Sequence, residues 1–166
     1  MRRKMANNFD RNDTRNFAER TRKNLRAIIA LQREVDADVH PVTQLVVSLL
    51  GLITLPRECR LTEQLKPLTI TDLDGTWPRF DVSKGEERSE NLHDLVDRIR
   101  NAVSHGRFFF LSQSKVLHEV TIKLEDFTPS EIEKAKKESR DPVPFWCASI
   151  QADELAIFCD KLGEVL

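Results

Sequence analysis

The sequence is poor in the residues that bind metals and form disulfides. It has four scattered histidines and three cysteines, Cys59, Cys147 and Cys159, and no two cysteines have the CxxC spacing of a zinc site. We therefore expect no metal ion, and nothing in the sequence indicates another cofactor. Widely separated cysteines fit a reducing compartment, so we expect structural thiols in a cytoplasmic protein.

Long apolar runs are absent as well. The most apolar stretch, 42–55, is interrupted by Thr43, Gln44 and Ser48, and it is shorter than the roughly 20 residues that a membrane helix needs. The basic residues 1–4 are not followed by the apolar region of a secretory signal. These absences predict a chain that does not associate with a membrane.

The composition is that of a globular domain. Hydrophobic residues make up 40% of the 166 residues and charged residues 32%, and this length suits one domain with a sizeable core. The net charge is -1, but residues 1–33 contain ten Arg or Lys against three Asp or Glu. We predict a single domain over 1–166, with residues 1–12 as a flexible basic tail.

Apolar residues recur at steps of three and four in several segments, which indicates helices. Helices are predicted at 14–34, 42–55, 89–105, 130–138 and 153–165. In the second helix, Pro41 suits the first turn, Gly51 is expected to let another backbone approach, and Pro56 is expected to end the helix. Ser89 and Gly106 are the predicted N-cap and C-terminal glycine of the third helix.

Between the third and last helices, apolar and polar residues alternate, which indicates strands. Strands are predicted at 108–111, 116–125 and 145–150. Ser130 and Glu133 have capping-box spacing at the start of the short charged helix. Residues 57–90 are broken by prolines and glycines, and we predict only a short helix near Glu63 and an extended piece at 68–70. The expected fold is mainly α, a bundle of four to five helices with a small antiparallel sheet inserted before the C-terminal helix.

The end of the third helix carries the residues of a recognisable motif. Arg100 is followed directly by Asn101, and His105 closes the amphipathic helix before a glycine. Arg88 and His93 have the same spacing as Arg100 and His105, but no asparagine follows Arg88. The segment resembles the motif of the HEPN superfamily, in which an arginine, a polar residue and, a few positions later, a histidine lie at a helix end.

A second resemblance lies outside this motif. The apolar helix and its continuation over 42–58, and the Trp146 strand with its closing helix at 155–162, are similar to a HEPN subfamily of small, often plasmid-borne proteins. The resemblance covers the chain from about Thr14 onward, except for the middle section 57–90 beyond that continuation and the charged segment near Glu131.

The resemblance implies an HEPN-like helical bundle, a homodimer and an endoribonuclease site shared between two copies. Arg100, Asn101 and His105 would be the catalytic residues. It further implies a toxin or phage-defence role, with a cognate antitoxin or nucleotidyltransferase as a possible partner. Some HEPN domains bind nucleotides or proteins without cleaving anything, and that alternative stays open.

Helical geometry gives an independent argument for the dimer. Asn101 points almost opposite the apolar stripe, His105 lies one turn further on, and Arg100 and Ser104 form a second pair alongside. A single exposed face would exclude no water, whereas two such faces around a twofold axis would form a cleft. Asp97, one turn before Asn101, is either a supporting group or a solvated carboxylate.

These side chains suit metal-independent RNA cleavage. Histidine exchanges protons near neutral pH, so a pair of His105 side chains could take the proton of the 2′-OH and protonate the leaving 5′-oxygen. Arg100 could stabilise the charge on the phosphoryl oxygens, and Asn101 could orient either group. DNA lacks the 2′-OH and should not be cut.

Each of these residues also has a simpler interpretation. Arg100 could be a surface residue and His105 only a helix-end stabiliser, and Ser104 could be filler. The basic residues of the first helix could hold RNA phosphates or form only a solvated face; they are Arg15, Arg22, Lys23 and Arg26. Trp146 and the aromatic run 108–110 are expected in the core rather than stacked on bases.

Overall fold

A computed structural model describes residues 11–35, 39–58, 61–85 and 91–166. The described chain has five α-helices: α1 (Arg11–Val35), α2 (Pro41–Glu58), α3 (Leu92–Ser104), α4 (Pro129–Glu138) and α5 (Ala152–Val165). It has four strands: β1 (Asp81–Lys84), β2 (Phe108–Phe110), β3 (Thr121–Asp126) and β4 (Trp146–Gln151). The predicted mainly helical fold with a small antiparallel sheet is confirmed.

The four strands form one antiparallel sheet in the order β1-β4-β3-β2. The longest pairing joins β3 to β4 over six residue pairs, from Thr121 opposite Gln151 to Asp126 opposite Trp146. Because side chains alternate along a strand, every second residue of β3 faces the interior, and Ile122, Leu124 and Asp126 are buried.

Helix α2 lies at the centre of the bundle, packed against α1, α3 and α5. Its residues Leu45, Leu49, Leu52 and Ile53 are fully buried, as expected of a helix that is apolar nearly all round. A Cβ at Gly51 would lie 3.0 Å from Cε1 of Phe17. The close approach at this glycine is therefore made by a side chain of α1 and not, as predicted, by another backbone.

Several helix ends differ from the sequence prediction; α1, for example, begins at Arg11 and not at residue 14. Helix α2 continues through Pro56 to Glu58; Pro56 is buried, and its packing offsets the one hydrogen bond that a proline removes. Helix α4 is capped by Thr128, whose Oγ1 accepts a hydrogen bond from Glu131 N at 3.2 Å. The cap lies two residues before the predicted Ser130 because Pro129 suits the first helical position.

The N-terminus of α3 also moves inward. The predicted cap Ser89 lies outside the described residues, and α3 begins at Leu92 with Asn91 as N-cap. Asn91 Oδ1 accepts from Asp94 N at 2.9 Å. A bridge between Thr69 and Asn91 holds residue 91 extended, so the helix cannot begin earlier. Where the sequence predicted an extended piece at 68–70, the structure has this isolated bridge at Thr69.

The sheet contains one strand more than predicted and exposes residues expected in the core. β1 comes from the region 57–90, where the sequence predicted only a short helix near Glu63, found as the 3-10 helix Leu61–Leu65, and an extended piece at 68–70. Trp146 is fully buried as predicted, but Phe109 and Phe110 are 48% and 41% exposed. The reason is that β2 is an edge strand of three residues paired only with β3.

Several predictions fall partly or wholly outside the described residues. Cys59 and most of the predicted basic tail, residues 1–10, lie there, whereas the last two tail positions belong to α1. Cys147 and Cys159 are free and buried, as expected of structural thiols, and burial raises the pKa of the Cys159 thiol. No helix in the described ranges is long and apolar enough to cross a bilayer.

Candidate active site

The motif residues lie in the last turn of α3, where the chain leaves the helix for β2. Arg100, Asn101 and Ser104 are helical and His105 is the C-cap. Gly106 follows with a φ of 65°, its N–H donates to Val103 O at 3.1 Å, and Arg107 N donates to Ala102 O at 2.8 Å. This pair of bonds is the Schellman arrangement that ends a helix at a left-handed glycine, as the sequence predicted.

Asn101 connects this turn to the sheet. Its Oδ1 accepts a hydrogen bond from Arg100 Nη1 at 2.8 Å, and its Nδ2 donates to Asp126 Oδ2 at 3.3 Å. We call these three residues the Arg100–Asn101–Asp126 network. Asn101 was predicted on a face turned away from the core, but α3 packs against β3 and the amide is partly buried there.

Asp126 is the residue of this site that the sequence interpretation missed. It is 3% exposed, and its Oδ1 accepts from Phe127 N at 2.9 Å. Burial raises the pKa of the Asp126 carboxyl, while the hydrogen bonds from Asn101 and Phe127 oppose the rise. A signal was present, because Asp126 occupies the inward position that follows Ile122 and Leu124 in the alternation of β3.

Two further arginines, Arg98 and Arg107, favour the ionised form of the Asp126 carboxylate electrostatically. The guanidinium of Arg107 lies 4.8 Å from the centre of the Phe127 ring, and that of Arg98 lies 5.4 Å from the centre of the Phe145 ring. Cation–π contacts of this kind hold a guanidinium in a defined place. The end of α3 is therefore rich in positive charge around one buried acid.

Of the other predicted site residues, His105 and Ser104 are exposed, whereas Asp97, one turn before Asn101, is partly buried. The backbone N–H of His105 donates to Asn101 O at 3.2 Å, so the position of the histidine is tied to the same turn as the network. The structure thus joins Arg100 and Asn101 by a side-chain hydrogen bond and leaves the His105 ring accessible to a substrate.

The four basic residues predicted to grip RNA have structural contacts in this chain. Arg22 pairs with Asp160 at 3.2 Å and with Glu164 at 3.0 Å. Arg15 Nε donates a hydrogen bond to Leu166 O at 3.1 Å, and Arg26 Nε donates one to Asp160 Oδ1 at 3.1 Å. Lys23 Nζ forms a salt bridge with Glu19 Oε1 at 2.6 Å. The arginines fasten α1 to α5, and RNA binding by α1 stays a prediction.

Within the described part of the chain, no group of three or more His, Cys, Asp or Glu side chains is placed to hold a metal ion. The chemistry available at the end of α3 is that of an exposed imidazole, guanidinium groups and a buried carboxylate with its amide partner. Such groups can transfer protons and stabilise a phosphate.

Comparison with known proteins gives one family. The family model described as HEPN pEK499 p136 matches residues 5–166. Neither the curated proteins nor the solved structures give a significant match. The match extends over nearly the whole chain and agrees with the resemblance to small plasmid-borne HEPN proteins drawn from its motif, its apolar helix and its Trp146 strand. The chain therefore belongs to the HEPN pEK499 p136 family.

Proposed function

We propose that this protein is a metal-independent endoribonuclease that cleaves RNA at a composite site formed by two copies of the chain. The observation that carries the proposal is the arrangement at the end of α3. The Arg100 guanidinium donates a hydrogen bond to Asn101, Asn101 donates one to Asp126, and an exposed His105 closes the same helix end. We further propose that the protein acts in a toxin–antitoxin or phage-defence system, as many HEPN ribonucleases do.

The reaction is transesterification through the ribose 2′-OH. One His105 takes the proton of the 2′-OH, the 2′-oxygen attacks the phosphorus, and the bond from phosphorus to the 5′-oxygen breaks. A second His105 protonates the departing 5′-oxygen, which leaves a 2′,3′-cyclic phosphate and a free 5′-OH. Arg100 donates to the phosphoryl oxygens, where negative charge accumulates in the transition state.

The need for two copies follows from the exposure of the site. The rings of the two His105 side chains must both reach one phosphate, and each chain contributes only one. His105 lies on an open surface, where water would compete with substrate. A second α3 end placed around a twofold axis would double the arginine and histidine and form a cleft between them, which is how HEPN ribonucleases are generally built.

The test uses purified wild-type protein, His105→Ala and, as a matched control, His118→Ala, because His118 is also exposed but lies in a 3-10 turn outside the motif. Each is incubated with total RNA and with single-stranded DNA in the presence of EDTA. We expect wild type and His118→Ala to cut RNA only, and His105→Ala to lose at least about a hundredfold in rate. Sedimentation should give a dimer mass for all three.

Equal rates of RNA cleavage by wild type and His105→Ala would show that the His105 motif takes no part in the reaction. Cleavage that stops on addition of EDTA would contradict the metal-independent reaction. Cleavage of DNA at a comparable rate would contradict attack by the 2′-OH.

The second candidate is a non-catalytic HEPN module that binds a nucleotide or a partner protein. The observation that favours it is the exposed edge of the sheet, where Phe109, Phe110 and Leu111 remain 48%, 41% and 63% exposed. Exposed apolar residues on an edge strand suit protein association. A folded wild-type dimer without ribonuclease activity would favour this function, and an antitoxin or nucleotidyltransferase would then be sought as the partner.

A further inference from the structure

Asp126 is a carboxylate at an inward-facing position of a strand, where an apolar side chain is usual. Asp126 ends β3 at a position equivalent to the apolar Ile122 and Leu124, and it is nearly as buried as they are. A charge taken out of water is costly unless it is hydrogen-bonded. An apolar residue would serve the core at least as well, so the contacts of the carboxylate are the natural place to look for its role.

Both carboxylate oxygens of Asp126 accept hydrogen bonds. Oδ2 accepts from Asn101 Nδ2 at 3.3 Å, and Oδ1 accepts from Phe127 N at 2.9 Å. A carboxylate can only accept, a guanidinium can only donate, and an amide does both. The Asn101 amide therefore has one orientation that satisfies Arg100 and Asp126 together, with its oxygen toward the guanidinium and its nitrogen toward the carboxylate.

We propose that Asp126 is the positioning residue of the ribonuclease site, fixing the Asn101 amide so that Asn101 holds the Arg100 guanidinium ready for the scissile phosphate. This inference rests on the proposed function and adds to it a residue outside the motif, 25 positions after Asn101. Asp126 touches no substrate in this mechanism, and it acts through the Asn101 hydrogen bond.

The network favours an ionised Asp126, because a proton on either carboxyl oxygen makes that oxygen a poorer acceptor for Asn101 Nδ2 or Phe127 N. Arg98 from α3 and Arg107 from the turn after it favour the ionised form, together with these two hydrogen bonds, whereas burial raises the pKa of the carboxyl.

The first test is Asp126→Asn in the full-length dimer. The variant keeps the shape of the side chain but gives it an NH2 group, which must face either Asn101 Nδ2 or Phe127 N. We expect kcat to fall by at least about tenfold, because Arg100 acts on transition-state charge, while KM stays within about threefold. The control Asp72→Asn removes an exposed carboxylate before β1 and should leave both constants unchanged.

The decisive variant is the exchange Asn101→Asp combined with Asp126→Asn. The new asparagine can accept from Phe127 N and donate to the new aspartate, which can still accept from Arg100. The exchange thus restores every donor–acceptor pair, whereas Asn101→Asp alone opposes two carboxylates. We expect the double variant to recover most of the kcat lost by either single variant.

The outcomes separate this inference from the function on which it rests. If wild type cuts RNA and His105→Ala does not, but Asp126→Asn matches wild type in kcat, only the positioning role is wrong. If Asp126→Asn fails to fold, the double variant decides: a folded dimer with restored kcat supports the role, and a folded dimer without activity overturns it. If folded wild type cuts no RNA, the proposed function fails and the inference falls with it.

Discussion

Replacing Gly106 with alanine tests the turn that carries His105. Gly106 has a φ of 65°, and the backbone bonds around it end α3. Among the described residues, no atom lies within 4 Å of a Cβ added at this position. Any cost of the substitution must therefore come from the backbone conformation and not from a steric clash with a neighbour.

The expected magnitude follows from two opposing effects. A left-handed conformation costs an L-residue about 1–2 kcal/mol. Alanine also restricts the unfolded chain, which stabilises a protein by about 0.4–1 kcal/mol where the native conformation is compatible. The difference is a loss of about 1 kcal/mol in the free energy of unfolding, or about 2–4 °C in Tm for a chain of this size.

Gly75 provides the matched control. It also lies in open space, and its φ is outside the left-handed region, so Gly75→Ala should gain about 0.4–1 kcal/mol. Gly106→Asn should lose less than Gly106→Ala, because asparagine tolerates the left-handed conformation better than alanine.

Urea unfolding followed by circular dichroism measures all three variants, and the RNA cleavage rate is measured in parallel. We expect Gly106→Ala to cleave more slowly than Gly75→Ala, because the turn sets the position of His105. If Gly106→Ala is as stable as Gly75→Ala, the backbone argument is refuted. If it loses stability but keeps full activity, the turn does not position the histidine.

Three further predictions concern other parts of the chain. A Cβ at Gly163 would overlap Cδ of Arg22, so Gly163→Ala should destabilise the wild-type protein. In an Arg22→Ala background the same substitution should stabilise the protein by about 1 kcal/mol, because alanine favours a helix more than glycine does. A double-mutant cycle of urea unfolding measures both effects. The Arg140 guanidinium, which donates a hydrogen bond to Glu131, lowers the pKa of the Glu131 carboxyl from 4.5 to about 2. The stabilising contribution of this pair is therefore complete above pH 4.5 and is lost as pH falls toward 2. Glu131→Gln should flatten the dependence of Tm on pH in this window, and an unchanged slope would contradict the pairing. Ser104→Ala should keep the RNA cleavage rate within about tenfold of wild type, because its exposed hydroxyl is a supporting group; a loss of 10² or more, as for a general acid or base, would make it a direct participant.

Features set by local sequence were predicted well. The apolar period of α3 and the glycine after His105 depend on neighbouring residues only, and both are confirmed. The helix starts were predicted less well. The caps are Asn91 and Thr128 rather than the predicted Ser89 and Ser130, and the bridge to Thr69 and the proline at 129 account for the differences.

Features set by distant contacts were predicted poorly. The interior partner of Asn101 is a residue of β3, and no local pattern links the two positions. β1 was missed because it is four residues long, largely exposed and placed at the sheet edge, where the alternation of apolar and polar residues is weak. The candidate site was therefore visible in the sequence as a motif, but its support from the sheet was not.

The pairing of β3 with β4 has a consequence for how this chain tolerates changes in length. One residue inserted into or deleted from β3 would turn Asp126 toward the opposite face and away from Asn101, because successive side chains alternate. The same insertion in the connection 111–116 can be absorbed without altering which residues of β3 point inward. The number of residues from Thr121 to Asp126 is therefore constrained by the pairing of β3 with β4, whereas the length of the preceding connection is not.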